Sequence, residues 1–547
     1  MGSRNSCCSS GNVEVPPTYQ PPVGEGKQGN AMEEVAVGAF SASDGGLGDR
    51  ARAKRPNMSA AAMRLLLPRP RVPAPLDPNF APVVLAKRSY RAAVEEAPEG
   101  SARPLSWALL RPGGCARGAL RVFAEEHVHH DASLHLAGVL IQEMLWQRGA
   151  TSLLLHGPEK ICRDLSEAFS LQGRYSFEAR TIAKVCGSAE DFTAQVVASE
   201  EELPKESDSP VVFGQDALGG RLVVEIGRTE VKVAAIQDNE ILDVKEVQWD
   251  STKSDAQYFA DKITQTVFDT AGSIPQVEAI GGSIRGAVSS QGEVTWNNLF
   301  PNVPAKDFEE NLKGIFLTLA ENFKGAQLRV VTDGDLTAAA ASLRIREGSV
   351  LAVTSGAGGS AGYCRDIELP GWVNELSYVQ LDLNPAAPLD LRGTGHRGTG
   401  HGYLGLRGAT KLGAAAGLEG APEAEDLAGM SSEKEGQCML AIQAAMKDPE
   451  QQHSAQLVYE TMGVYLGYAL AQFSEHYNVD HALVLGPVAS GPGGMVMCQK
   501  AKEVLVAEFP DLEHIRFHFP DENFHRTGRL LALAAIPPPH VGVHITT

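Results

Sequence analysis

From Arg221 to Val247 apolar and polar residues alternate through three short runs, broken at Gly227-Arg228-Thr229 and at Asp238-Asn239. A period of two predicts strands, and the breaks predict tight turns between them. Leu328 to Ser342 changes period: a short strand ends in Asp333-Gly334-Asp335 and passes into an alanine-rich helix. Val350 to Val353 is apolar and partly β-branched, which suits a buried strand. Thr354 to Ser360 then supplies glycines and hydroxyls, and a second strand and a loop lead on to Tyr378. Helices are predicted over Ser254–Ala271, Lys306–Phe323, Ser454–Tyr477, Gly494–Glu508 and Gly528–Ile536, with strands at Val277–Ile280 and His481–Leu485. Prolines from Pro537 onward stop the last helix.

Upstream, the pattern predicts a small α/β unit over 102–200. Trp107–Leu110 and Ala119–Phe123 read as strands around Gly113-Gly114. Asp131 offers an N-cap to a helix through Arg148, with Leu134, Gly138, Ile141 and Leu145 on one face and Gly149 as its stop. A strand at Ser152–Leu155 and a helix at Glu159–Phe169 follow, and His127, His129 and His130 fall in a polar loop where solvated side chains are expected. Residues 1–101, rich in Pro, Gly, Ala and Ser, read as a disordered tether, and 201–219 as a charged linker. The remainder divides into lobes at 220–347 and 348–547.

The turns carry the candidate chemistry. Glycine permits close backbone approach, and consecutive N–H groups form an anion-binding concavity, so Gly227-Arg228-Thr229 and the turn after Val353 suit phosphate. Asp333 sits at a strand end beside a helix N-terminus; as a helix cap, Asp335 is the better placed of the two. Two phosphate-type turns in separate halves, with an acidic strand end between them, suggest two α/β lobes closing on a nucleotide.

At these residues, over roughly Gly220 to Pro537, the chain resembles the ROK sugar-kinase family of the actin-like ATPase superfamily. The segments that carry the likeness are Glu225-Ile226-Gly227-Arg228-Thr229, Gly281-Gly282-Ser283-Ile284-Arg285-Gly286, Thr332-Asp333, Thr354-Ser355-Gly356-Ala357-Gly358-Gly359, Asn374-Glu375-Leu376-Ser377-Tyr378 and Leu483-Val484-Leu485-Gly486. The resemblance implies a duplicated, ribonuclease H-like two-lobed α/β fold and phosphoryl transfer from ATP to a sugar. In it Asp333 is the general base, and Glu375, Asn374, Thr332 and Ser283 bind the sugar. Gly227, Arg228, Thr229, Thr354, Ser355, Gly356, Gly358, Gly359 and Gly486 hold the nucleotide, and Glu225 holds Mg²⁺ through water. It also implies a homodimer.

The departures are as specific as the matches. Glu225 stands where the family has aspartate, Arg228 where it has a small residue, Thr332 for asparagine, and Tyr378 for a zinc-binding histidine. Arg392 to Leu418 replaces the cysteine-rich zinc segment, so no zinc is expected, and His396 and His401 read as loop histidines. Two functions therefore stand open: an active sugar kinase, or a pseudokinase that binds nucleotide or sugar as a scaffold.

Composition narrows the class further. The 547 residues, 43% hydrophobic and 21% charged, suffice for two or three domains, and a net charge of −19 argues against nucleic acid as a partner. The eight cysteines are scattered apart from Cys7-Cys8, as in a reducing, cytoplasmic compartment, and no apolar stretch is long enough to span a membrane. Gly2 with Ser6 fits N-myristoylation and Cys7 and Cys8 suit palmitoylation, a pair of signals that would anchor the chain to the cytoplasmic face of a membrane. A processed transit segment near Met58 or Met63 is the alternative.

Overall fold

The computed structural model describes residues 58–536 except 214–217, 290, 298, 325, 357–359, 391–392, 423–426, 428–429 and 522–523. The expected tether is corrected from residue 58 onward. Helix α1 (Ala60–Leu66) is capped by Ser59, whose side chain accepts from the Ala62 amide, and α2 (Val83–Glu96) buries Val83, Leu85, Tyr90 and Val94. Strands β1 (Ala102–Arg111) and β2 (Gly114–Phe123) form a hairpin, longer than the apolar runs alone indicate. Helix α3 (His130–Arg148), strand β3 (Ser152–His156), helices α4 (Glu159–Ala168) and α5 (Ser176–Val185) and strand β4 (Thr193–Val196) complete a four-stranded sheet of order β2-β1-β3-β4.

Two expectations fail in this unit for one reason. Helix α3 is buried on nearly every side, not along a single stripe, because the sheet covers one face and the second lobe another. The histidines before it are drawn into the same packing: His127 stacks on Phe123 with ring centres 4.1 Å apart, and buried His130 meets the Phe123 carbonyl at 3.2 Å. No side-chain cap stands at His129, and Asp131 lies inside the first turn, where its charge favours the helix dipole.

The first lobe begins with the meander β5 (Gly220–Ile226), β6 (Glu230–Gln237) and β7 (Glu240–Gln248). Helix α6 (Ala256–Ala271) and strand β8 (Ala279–Ile284) follow, then α7 (Ala305–Asn311), α8 (Ile315–Asn322), strand β9 (Gln327–Thr332) and helix α9 (Asp333–Ile345). The single helix expected over 306–323 is two, broken before Gly314, where the Lys313 carbonyl accepts from the Val294 amide. The sheet order is β9-β8-β5-β6-β7, parallel from β9 to β5 and antiparallel beyond. Alternation divides each strand between two cores: Leu222, Val224 and Ile226 face one, and Val223 the other.

The second lobe repeats this plan. Strands β10 (Val350–Thr354) and β11 (Ala361–Cys364) form a hairpin. Helices α10 (Leu406–Ala415), α11 (Ser432–Ala445) and α12 (Gln452–Phe473) precede β12 (His481–Leu485), α13 (Gly491–Glu508), β13 (Arg516–His518) and α14 (Arg529–Ala535). Its order, β11-β10-β12-β13, has the same sequence of antiparallel and parallel pairs as β6-β5-β8-β9. Two such sheets back to back define the two-lobed actin-like ATPase fold. Helices α9 and α14 and one face of each sheet form the core between the lobes. The other face of the second sheet shares a single core with the N-terminal unit, from Ala62 to Ile515. Among the described residues no helix is long and apolar enough to cross a membrane.

Candidate functional site

Parallel pairing sets the first half of the site. Register places Glu225 opposite Ser283 and Ile226 opposite Ile284, which in turn pairs with Thr332. The next residues along these strands, Gly227, Arg285 and Asp333, therefore emerge side by side at the carboxyl edge, where open α/β sheets bind ligands. Thr332 caps α9, its hydroxyl accepting from the Asp335 amide at 3.1 Å, which corrects the expectation that Asp335 caps the helix. Gly334 lets the start of α9 lie against the second lobe, since a Cβ there would stand 1.9 Å from the Ala361 carbonyl oxygen.

A residue absent from the expected set dominates this edge. Arg529, at the start of α14, reaches back across the sheet. One of its terminal nitrogens donates to Asp333 Oδ1, the other donates to Thr337 Oγ1 at 2.8 Å, and its Nε lies 3.5 Å from Glu225 Oε1. Burial in the cleft would raise the Asp333 carboxyl, but Arg529, with Arg285 behind it, holds it below its ordinary value. The same two carboxylates lift the Arg529 guanidinium above its ordinary value against the effect of burial. Glu225, the residue expected to hold Mg²⁺ through water, and Asp333 share this one cation. The Arg529 guanidinium stands between them, in the place a resident metal ion would take, so the arrangement does not fit one.

The turns differ from expectation in their free donors. The Gly227 amide donates to the Glu230 carbonyl at 2.9 Å, closing the hairpin, so it is not available to a phosphate. Thr229 donates its hydroxyl to Glu230 at 2.5 Å, while Trp249 holds the Arg228 and Thr229 carbonyls at 2.7 and 2.8 Å. In the second turn the Thr354, Ser355 and Gly356 amides donate to the Ser360, Leu485 and Thr354 carbonyls at 2.8, 2.7 and 3.2 Å. Gly486 adopts φ +100° where a Cβ would stand 2.6 Å from the Ser355 carbonyl oxygen, so its glycine serves close packing of the two strand ends. Gly358 and Gly359, like Gly2, Cys7 and Cys8, lie outside the described residues.

The expected sugar-binding pair is fixed from three directions. Asn374, with φ +55°, is buried; its amide group donates to Asp335 Oδ1 at 3.0 Å and its oxygen accepts from the Tyr477 hydroxyl at 2.9 Å. The backbone amides of Asn374 and Glu375 donate to the Gln147 and Trp146 carbonyls at 3.1 and 2.9 Å, so the C-terminal end of α3 clamps this loop. Burial pushes the half-buried Glu375 carboxyl up to about 7, opposed by His401 and Arg285 and reinforced by Asp335. Arg285 thus acts electrostatically on both Asp333 and Glu375.

The loop after Tyr378 is packed inside the molecule. His396 lies 3.2 Å from a Glu178 carboxylate oxygen and His401 3.6 Å from Asp390, and both rings are largely buried, so these loop histidines are packed against acids inside the fold. Arg529, Arg285, Asp335 and His401 were missed as site residues. Arg529 left one signal in the sequence: a lone cation opening an apolar helix, where the helix dipole disfavours it unless an acid faces it.

No protein-family model and no curated protein matches the chain. Solved structures do. A ROK hexokinase from Thermus thermophilus is 17% identical, covering 58% of this chain and 97% of its own, at a TM-score of 0.44. A ROK family glucokinase from Streptomyces griseus in complex with glucose and AMPPNP is 18% identical over 58% and 98%, at 0.40. A ROK family transcriptional regulator, a homologue of the E. coli MLC protein, is 16% identical over 69% and 86%, at 0.45.

Proposed function

We propose that the chain is a sugar kinase that transfers the terminal phosphoryl group of ATP to a sugar hydroxyl in the cleft between the lobes. The observation that carries this reading is the Asn374 to Asp335 hydrogen bond, which ties the Glu375 loop to the helix that begins with Asp333. A base and a set of hydroxyl ligands then share one cleft. Asp333 accepts the proton of the attacking hydroxyl as its oxygen bonds to phosphorus and the bond to the departing diphosphate breaks. Glu375 and Ser283 orient the sugar. Arg228, Thr229 and the turn from Thr354 to Gly356 face the phosphates.

The ion pair to Arg529 favours a second reading, a nucleotide- and sugar-binding module with no turnover, because a carboxylate held ionised by a guanidinium is a weakened base. A panel of hexoses, amino sugars and N-acetylated sugars with radiolabelled ATP decides between them. Labelled sugar formed by the native chain and reduced at least a hundredfold in Asp333→Asn supports the kinase. Binding of ATP with no labelled product on any sugar leaves the module.

A further inference from the structure

The strand ends are rich in guanidinium groups for a site expected to bind a metal. Arg529 pairs with Glu225 and Asp333 together, and its donors are already directed at Asp333 and Thr337. Arg285 emerges between Gly227 and Asp333 by strand register, and Arg228 occupies the adjoining turn. Neither Arg228 nor Arg285 has a side-chain hydrogen bond or ion pair among the described residues, and the two act on each other as like charges. Of the remaining acids nearby, Glu230 accepts from the Thr229 hydroxyl, Asp335 accepts from Asn374 deeper in the cleft, and Glu375 lies within the field of Arg285. Three guanidinium groups therefore meet at the place where a polyphosphate would lie, and among the described residues the amides of Gly227 and of Thr354 to Gly356 are already bonded within the fold.

We infer that Arg529 is the resident cation of this site in place of a divalent metal, and that Arg228 and Arg285 bind the anionic tail of a nucleoside polyphosphate without one. This rests on the nucleotide-binding part of the function proposed above. The Arg529 guanidinium already stands between the two carboxylates that a metal ion would need, whereas a free polyphosphate offers acceptors to Arg228 and Arg285. Loss of Arg529 leaves two bare carboxylates, which repel the nucleotide until a divalent cation screens them.

The test is calorimetric titration of the full chain with ATP, in excess Mg²⁺ and in excess EDTA, for the native protein and for Arg529→Met. The native chain is expected to bind ATP with a Kd that differs less than tenfold between the two conditions. Arg529→Met is expected to bind at least tenfold more weakly in EDTA and to recover in Mg²⁺, a recovery that also shows the variant is folded. A native Kd that weakens tenfold or more on chelation overturns the inference while leaving nucleotide binding intact. So does an Arg529→Met chain with native affinity in EDTA. No ATP binding by the native chain in either condition overturns the nucleotide reading itself.

Discussion

Asp335 is buried at the foot of the cleft with neutral partners, Asn374 among them, and burial pushes its carboxyl from 3.8 up to about 7. Between those values the folded chain retains a proton that the unfolded chain has released. Its contribution to stability is therefore complete below 3.8 and is lost as pH rises through about 7. Asp335→Asn keeps an oxygen for Asn374 and removes the titration. The urea midpoint of the native chain is expected to fall from pH 5 to pH 8, and that fall to be smaller in the variant; equal slopes would assign it to other groups. At this scale the sequence was legible where a residue acts through its neighbours in the chain. Asp333 stands out at a strand end, whereas its partner Arg529 lies 196 positions away and meets it only through the packing of α14.

Between elements, a buried charge cluster joins the N-terminal helices to the second lobe. Lys87 on α2 meets Glu143 on α3 at 2.6 Å and Glu475, just beyond α12, at 2.7 Å, with Lys87 and Glu143 almost wholly buried. Removing one partner strands an unpaired charge, so Lys87→Met is expected to cost about 3–5 kcal/mol. Adding Glu143→Gln is expected to restore part of that loss, because the uncompensated carboxylate goes with it. Guanidinium unfolding of the three chains checks both; a double variant no more stable than Lys87→Met would show that the cost is lost packing. Helix α2 was hidden in the sequence among proline- and alanine-rich flanks, and its apolar face becomes meaningful only against β2 and α12, which follow it. The strands of both lobes were legible because each carries its own period of two.

Across the whole molecule, the two lobes and the order of the chemical motifs were legible from turns and strand ends, but the way the N-terminal unit is joined to them was not. It shares one hydrophobic core with the second lobe and clamps the Asn374–Glu375 loop through Trp146 and Gln147. Burial on every side of α3 reads in sequence like the core of a separate domain. A chain beginning at Gly220 would expose Leu376, Tyr378, Tyr465 and Tyr468, which this shared core covers. It is expected to be insoluble, or to lack near-ultraviolet circular dichroism and a cooperative thermal transition. A soluble 220–547 fragment with a sharp transition would show that the body folds without its N-terminal partner.

The shared core also sets a timetable for synthesis. The second-lobe residues of this core begin at Leu351, with the whole first lobe made in between. At about 5–20 residues per second, the roughly 160 residues that separate Phe192 from Leu351 occupy the ribosome for on the order of 10–30 seconds. Throughout that interval the early unit shows an unfilled apolar face to solvent, so the nascent chain becomes a client for holding chaperones before the cleft between the lobes exists.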